Sequence, residues 1–150
     1  MSFPPVESLI PHRAPQRVVS RVVEADGPRL VAEGDLTLAD VAGHFPGAPV
    51  VRGVVMLEGL AQALACLGAL SGEEGQAVLT GVEKARFRGM AVPPCTLRFE
   101  VEVTEARFRV TTAKGVVRLD GRVLCTATIH AALLPGGGGG VDVHGGSVSG

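Results

Sequence analysis

Apolar and polar residues alternate cleanly over Thr96 to Thr104 (TLRFEVEVT). Leu97, Phe99, Val101 and Val103 fall on one side and Arg98, Glu100 and Glu102 on the other. A period of two predicts a strand with one buried face and one wet face. Weaker versions of the pattern run over Gln16–Glu24 and Arg29–Leu36, joined at Asp26-Gly27-Pro28. Two such runs with a Gly-Pro junction predict a hairpin. Ala77–Arg88, Arg107–Thr112 and Val116–Ala131 are further strand segments. Turn signals stand at Lys114-Gly115 and Asp120-Gly121, the second reading either as a turn or as a bulge within a long strand.

One segment breaks the alternation. From Val51 to Leu70 the chain is rich in good helix formers, with Pro49 and Gly53 at its start and Ser71-Gly72 at its end. Its apolar residues are not confined to one stripe, which predicts a helix buried nearly all round. Strands on both sides in sequence supply the cover. The fold class is therefore α+β, a curved antiparallel sheet around one central helix.

Composition narrows the field. At 150 residues the chain is one domain's worth, and 46% apolar content marks it as globular. A net charge of -1 and the absence of Trp and Tyr argue against a nucleic-acid surface. The apolar run is interrupted by Glu58 and Gln62 and falls short of a membrane span. Three scattered cysteines, Cys66, Cys95 and Cys125, form no metal motif and fit a reducing cytoplasm. Residues 1–135 are expected to form the domain. The Gly-rich stretch 136–150 reads as a flexible tail with little to bury, and His144 within it is given no role.

Candidate chemistry concentrates around the helix. Glu58 and Gln62 are its only strongly polar side chains, and their spacing of four puts them on one face. A carboxylate in an apolar setting is costly unless it is paired, hydrated or neutral. Glu58 therefore either faces a wet cleft, or is protonated through desolvation, or lies on a solvent-facing edge of the helix. The preceding loop, Gly43-His44-Phe45-Pro46-Gly47-Ala48-Pro49, is stiff, and His44 is its only titratable group. That histidine is a proton-transfer group or a loop residue bonded to backbone. The helix N-terminus offers free amides to a developing oxyanion, and Gly53 carries no side chain to obstruct them. A base, an acid and an oxyanion site are what loss of water from a β-hydroxy thioester requires.

The segment HFPGAPVVRGVVMLEGLAQ closely resembles the active-site signature of FabZ-type β-hydroxyacyl-ACP dehydratases. LIPHRAPQRVVSRV and GVEKARFRGMAVPP resemble that family's flanking blocks, and the three together cover most of residues 9–105. The resemblance implies a hot-dog fold and a homodimer, with assembly into trimers of dimers left open. It implies His44 as base from one subunit and Glu58 as acid from the other. It further implies Gly53 amide at the thioester carbonyl, Val50 carbonyl orienting His44, and Gln62 supporting Glu58. No metal or cofactor is implied, and the partner is an acyl carrier protein bearing a 3-hydroxyacyl chain, or an acyl-CoA. FabA-type relatives carry Asp at the acid position, so Glu58 points to simple dehydration. Departures are Arg52 in place of Pro, Ser20 in place of Asp, Pro94-Cys95 in place of Gly-Asp, and no gating Tyr. They imply altered substrate access. His12 and Arg13 are read as buttresses of the fold, and His130 as a structural strand residue. Lys84, Arg86 and Arg88 are a solvated strand face or a docking patch for the acidic carrier. A hot-dog thioesterase and a non-catalytic hot-dog subunit are the competing readings.

Overall fold

A computed structural model describes residues 2–13, 16–41, 49–73 and 75–134. The Gly-rich segment 136–150 and His144 lie outside the described residues, as does His44. A short helix α1 (Val6–Leu9) leads into strands β1 (Arg21–Asp26) and β2 (Arg29–Leu36) and a 3-10 turn at Leu38–Val41. Helix α2 (Gly53–Leu70) follows, then β3 (Gln76–Phe87), β4 (Cys95–Arg107), β5 (Val110–Leu119) and β6 (Arg122–Leu134). The six strands make one antiparallel sheet in the order β1-β2-β4-β5-β6-β3, with α2 packed across it. This is the architecture expected from the alternation pattern and the single apolar helix.

The buried face of the sheet is the predicted one. Leu97, Phe99 and Val101 of β4 are fully buried, and Leu30, Leu124 and Ile129 join them under α2. Helix and sheet approach closely because two glycines stand at the contact. A Cβ on Gly59 of α2 would lie 2.2 Å from the Phe99 ring, and one on Gly115 of β5 would lie 2.8 Å from Leu60. That packing corrects the expectation of a turn at Lys114-Gly115. Gly115 is an interior strand residue whose missing side chain makes room for Leu60. The chain turns instead at Phe108-Arg109, both at positive φ (54° and 62°). A two-residue hairpin loop wants that conformation, but Phe and Arg do not announce it. Asp120-Gly121 is a turn of the same kind and not a bulge (φ 51° and 81°).

Two further expectations change. Gln16–Ser20 is not strand, since β1 begins at Arg21. Its amides at Val18 and Val19 are engaged by a helix side chain instead. Nor is α2, which begins at Gly53 and not Val51, buried all round. Met56, Leu60, Ala63, Leu64 and Leu67 are buried, while Val54, Glu58, Ala61 and Ala65 form a stripe that stays partly open. One sheet can cover only one side of a helix. By length and apolarity α2 could cross a membrane; here its apolar side is spent on the sheet.

The outer face of the sheet carries ion pairs. Arg98 and Arg118 both donate to Glu100 Oε2, at 2.8 and 3.1 Å. Burial works to raise the Glu100 carboxyl, but the two guanidinium groups outweigh it and hold it below the usual carboxylate range. His130, on the same face, sits between Glu83 and the Thr112 hydroxyl as a cross-strand trio tying β3, β6 and β5.

Candidate active site

Gln62 is the organising residue of the site. It is completely buried, and every polar position of its amide is used. Its Oε1 accepts from the amides of Val18 (2.8 Å) and Val19 (3.1 Å). Its Nε2 donates to the carbonyl of Gln16 (2.8 Å) and to Glu58 Oε2 (2.8 Å). Because the two backbone amides fix Oε1, the orientation of the amide is determined by its neighbours. One turn of helix separates Gln62 from Glu58, as their spacing predicts.

Glu58 lies on the open stripe of α2, with its carboxylate partly accessible. Of the sequence-level alternatives, the wet cleft or edge describes this chain; the carboxylate is not sealed in the core. Oε2 is tethered by Gln62, and His12 Nε2 stands 3.5 Å from the same oxygen. His12, a buttress of the fold near the site on the sequence, stands directly beside the acid. The only sequence signal was its place in the LIPHRAP block. Arg13, by contrast, does buttress: its guanidinium donates to the carbonyls of Ile10, His12 and Glu7 at the end of α1.

Arg52 occupies the N-cap position of α2, exposed, and no side chain caps the helix there among the described residues. Val55 and Met56 amides bond back to the Arg52 carbonyl, and the Gly53 and Val54 amides find no backbone acceptor among the described residues. Val51 N–H donates to the Ala91 carbonyl (2.9 Å), which pins the strand-like segment before the helix. Packing also requires Gly53. The Phe87 ring fills the space where a Cβ would go, with its nearest atom at 2.6 Å. Val50 is half-buried beside this segment, and its relation to His44 falls outside the described residues.

Of the basic run, Arg86 and Arg88 flank Phe87 and so come to the end of α2 where Arg52 lies. Lys84 is set apart by a bulge between Glu83 and Arg86 and has positive φ (54°). The three do not form the continuous strand face that simple alternation predicts. On the far side of His12 from Glu58's end of the helix, a cavity of about 440 Å³ is lined by the C-terminal half of α2. Its walls are largely small or apolar, including Ala65, Gly68, Ala69, Ala131 and Val103, and His12 stands at its edge. The described residues hold no group of His, Cys, Asp and Glu able to bind a metal.

The chain can be placed among known proteins. Residues 10–128 match the FabA-like domain family. A 3-hydroxyacyl-[acyl-carrier-protein] dehydratase FabZ from Anaeromyxobacter sp. (strain K) is 41% identical over 136 residues, covering 85% of this chain and 87% of that protein. The FabZ of Alkaliphilus metalliredigens is 37% identical, covering 86% and 91%. Among solved structures, the dehydratase heterocomplex ApeI:P from Xenorhabdus doucetiae superposes with a TM-score of 0.77 at 16% identity, over 88% of this chain and 92% of that one. A hypothetical thioesterase from Streptococcus pneumoniae follows at 0.63 and 10% identity, covering 77% and 85%. At those identities the structural matches show a shared hot-dog fold and nothing of chemistry. The sequence relatives go further: this chain belongs to the FabA-like family and, within it, to the FabZ-type dehydratases.

Proposed function

We propose that the protein is a (3R)-3-hydroxyacyl-[acyl-carrier-protein] dehydratase, a soluble cytoplasmic hydro-lyase that forms trans-2-enoyl thioesters in fatty-acid or related biosynthesis. The observation that carries the reading is Glu58 itself. It is a carboxylate fixed at one oxygen by a buried amide, in the N-terminal half of α2 and 3.5 Å from His12, which lines an apolar cavity. In this reading His44 takes the α-proton. Negative charge developing on the thioester oxygen meets the first-turn amides at Gly53. Glu58 delivers a proton to the departing hydroxyl. Val50 orients His44, and no cofactor takes part.

A homodimer is part of the proposal. Among the described residues β3 is a twelve-residue edge strand paired only with β6, and it exposes Val78, Leu79 and Val82. Long apolar edges are sites of strand pairing. In this reading a second copy pairs there, and the partner supplies His44 to the site of Glu58. Arg52, Arg86 and Arg88, with Lys84 nearby, then offer positive charge at the mouth to an acidic carrier protein. The reading is tested by supplying 3-hydroxybutyryl-ACP and following the absorbance of the conjugated enoyl thioester. Enoyl formation is expected; release of free thiol without enoyl product overturns the reading in favour of hydrolysis.

The cavity holds the acyl tail in this proposal. Ala65→Phe places a ring in its wall, about two helical turns along α2 from the acid. Each methylene kept out of the cavity forfeits about 0.8 kcal/mol. Excluding four of them lowers kcat/KM for a long-chain substrate by roughly 10²-fold. The four-carbon substrate is expected to be turned over nearly as before. A chain-length profile of the variant measures this directly.

A further inference from the structure

We infer that His12 is a positioning residue for Glu58: its ring and Gln62 together hold Oε2, so that Oε1 is the oxygen that carries the catalytic proton. The inference rests on the dehydratase reading for its functional half, and on geometry alone for its structural half. His12 Nε2 lies 3.5 Å from Glu58 Oε2, and Gln62 Nε2 lies 2.8 Å from the same atom. The N–H that Gln62 donates to Oε2 disfavours a proton there, and a ring nitrogen of His12 3.5 Å away adds to this when it carries hydrogen. Oε1 receives no hydrogen bond from any described residue. It is the oxygen left to take up and release a proton.

The other ring nitrogen fixes which tautomer does this. His12 Nδ1 is buried and has no hydrogen-bond partner among the described residues. A neutral ring protonated at Nδ1 would bury an unpaired N–H donor and aim the lone pair of Nε2 at a carboxylate oxygen. Both are unfavourable. The ring protonated at Nε2 leaves only a bare acceptor buried and puts its N–H on the nitrogen nearest Glu58. His12 also lines the apolar cavity along α2. The imidazole therefore touches both the apolar cavity and the acid, with Nε2 the nitrogen nearest the carboxylate. A residue that merely filled this space would need no ring nitrogen.

Three variants and one spectrum test this. His12→Leu keeps the bulk and loses the donor. It is expected to lower kcat about 10-fold with KM within about twofold, the signature of a lost transition-state contribution. His12→Gln places an N–H near the Nε2 position and is expected to recover most of that loss. In a Glu58→Gln background, His12→Leu is expected to have no further effect on the residual rate, since the two act as a unit. Equal losses in His12→Leu and His12→Gln, or an undiminished effect in the Glu58→Gln background, overturn the inference. Independently of turnover, long-range ¹H–¹⁵N correlation on the wild-type protein reads the tautomer. The His12 signals are assigned by their loss in His12→Gln. A proton on Nε2 alone is expected, with shifts that move in Glu58→Gln; any proton on Nδ1 overturns the placement. Absence of wild-type dehydration would sink the dehydratase reading by itself, while the tautomer still decides whether His12 addresses Glu58.

Discussion

Glu58→Gln is expected to lower kcat by about 10³-fold, within the range that positioned proton transfer contributes, or about 4 kcal/mol of barrier. The substitution is nearly isosteric. Gln62 Nε2 can still donate to an amide oxygen at position 58, so the bond now measured at 2.8 Å need not be lost. The melting temperature and KM should therefore stay close to wild type. What disappears is the capacity to hold a proton and release it to a leaving hydroxyl. His44→Ala is expected to fall comparably, through loss of the base. Mixing the two inactive variants makes the experiment decisive. If each site takes His44 from one subunit and Glu58 from the other, a mixed dimer contains one intact pair and one doubly defective pair. Random reassortment makes about half of the dimers mixed, so about a quarter of wild-type activity should return. If both residues came from the same chain, no mixture would recover anything. Subunit exchange followed by the enoyl absorbance assay distinguishes the two.

The parts of this arrangement that sequence reveals are the local ones. The spacing of Glu58 and Gln62 is helical geometry, and it can be read wherever a helix can. The alternation in β4 reports its buried face for the same reason. Failures arise where a residue answers to a distant neighbour. Gly115 looks like a turn residue beside Lys114, but it is small because Leu60 of α2 presses on the strand. Val18 and Val19 look like the start of a strand, yet their amides are taken by Gln62, more than forty positions away. Phe108-Arg109 makes a tight turn with residues that usually avoid one, the flanking strand pairing having imposed positive φ. Gly53 is legible as a glycine needed near the helix N-terminus. The ring that requires it, Phe87, belongs to a strand that sequence alone cannot bring there. His12 is the most consequential case, because its approach to Glu58 is purely tertiary.

Gln62→Leu is expected to cost the fold more than any other single change at the site. Leucine matches the amide roughly in volume and supplies apolar burial, so the cavity term is small. Its failure is in what it leaves behind. The amides of Val18 and Val19 lose their acceptor, and the Gln16 carbonyl loses its donor. A buried polar group without a partner costs about 1–3 kcal/mol. Three such groups, partly offset by leucine burial, give a net loss of about 3–5 kcal/mol, which lowers the melting temperature by roughly 10–20 °C. Catalysis should suffer as well, since Glu58 Oε2 loses its shorter tether. Gln62→Glu separates the two effects. When protonated, that carboxyl offers one acceptor and one donor, much as the amide does. When ionised, it sets a second negative charge in a buried position beside Glu58, which raises its folded-state pKa above the unfolded value. The folded variant then binds a proton that the unfolded chain releases, so its stability relative to wild type falls as pH rises above the carboxylate range and recovers in acid. Gln62→Leu lacks that proton, and its deficit relative to wild type should stay flat over the same interval. Thermal melts of both variants between mildly acidic and neutral pH are the test. A pH-independent deficit in Gln62→Glu would mean that the position is held by shape and not by its hydrogen bonds.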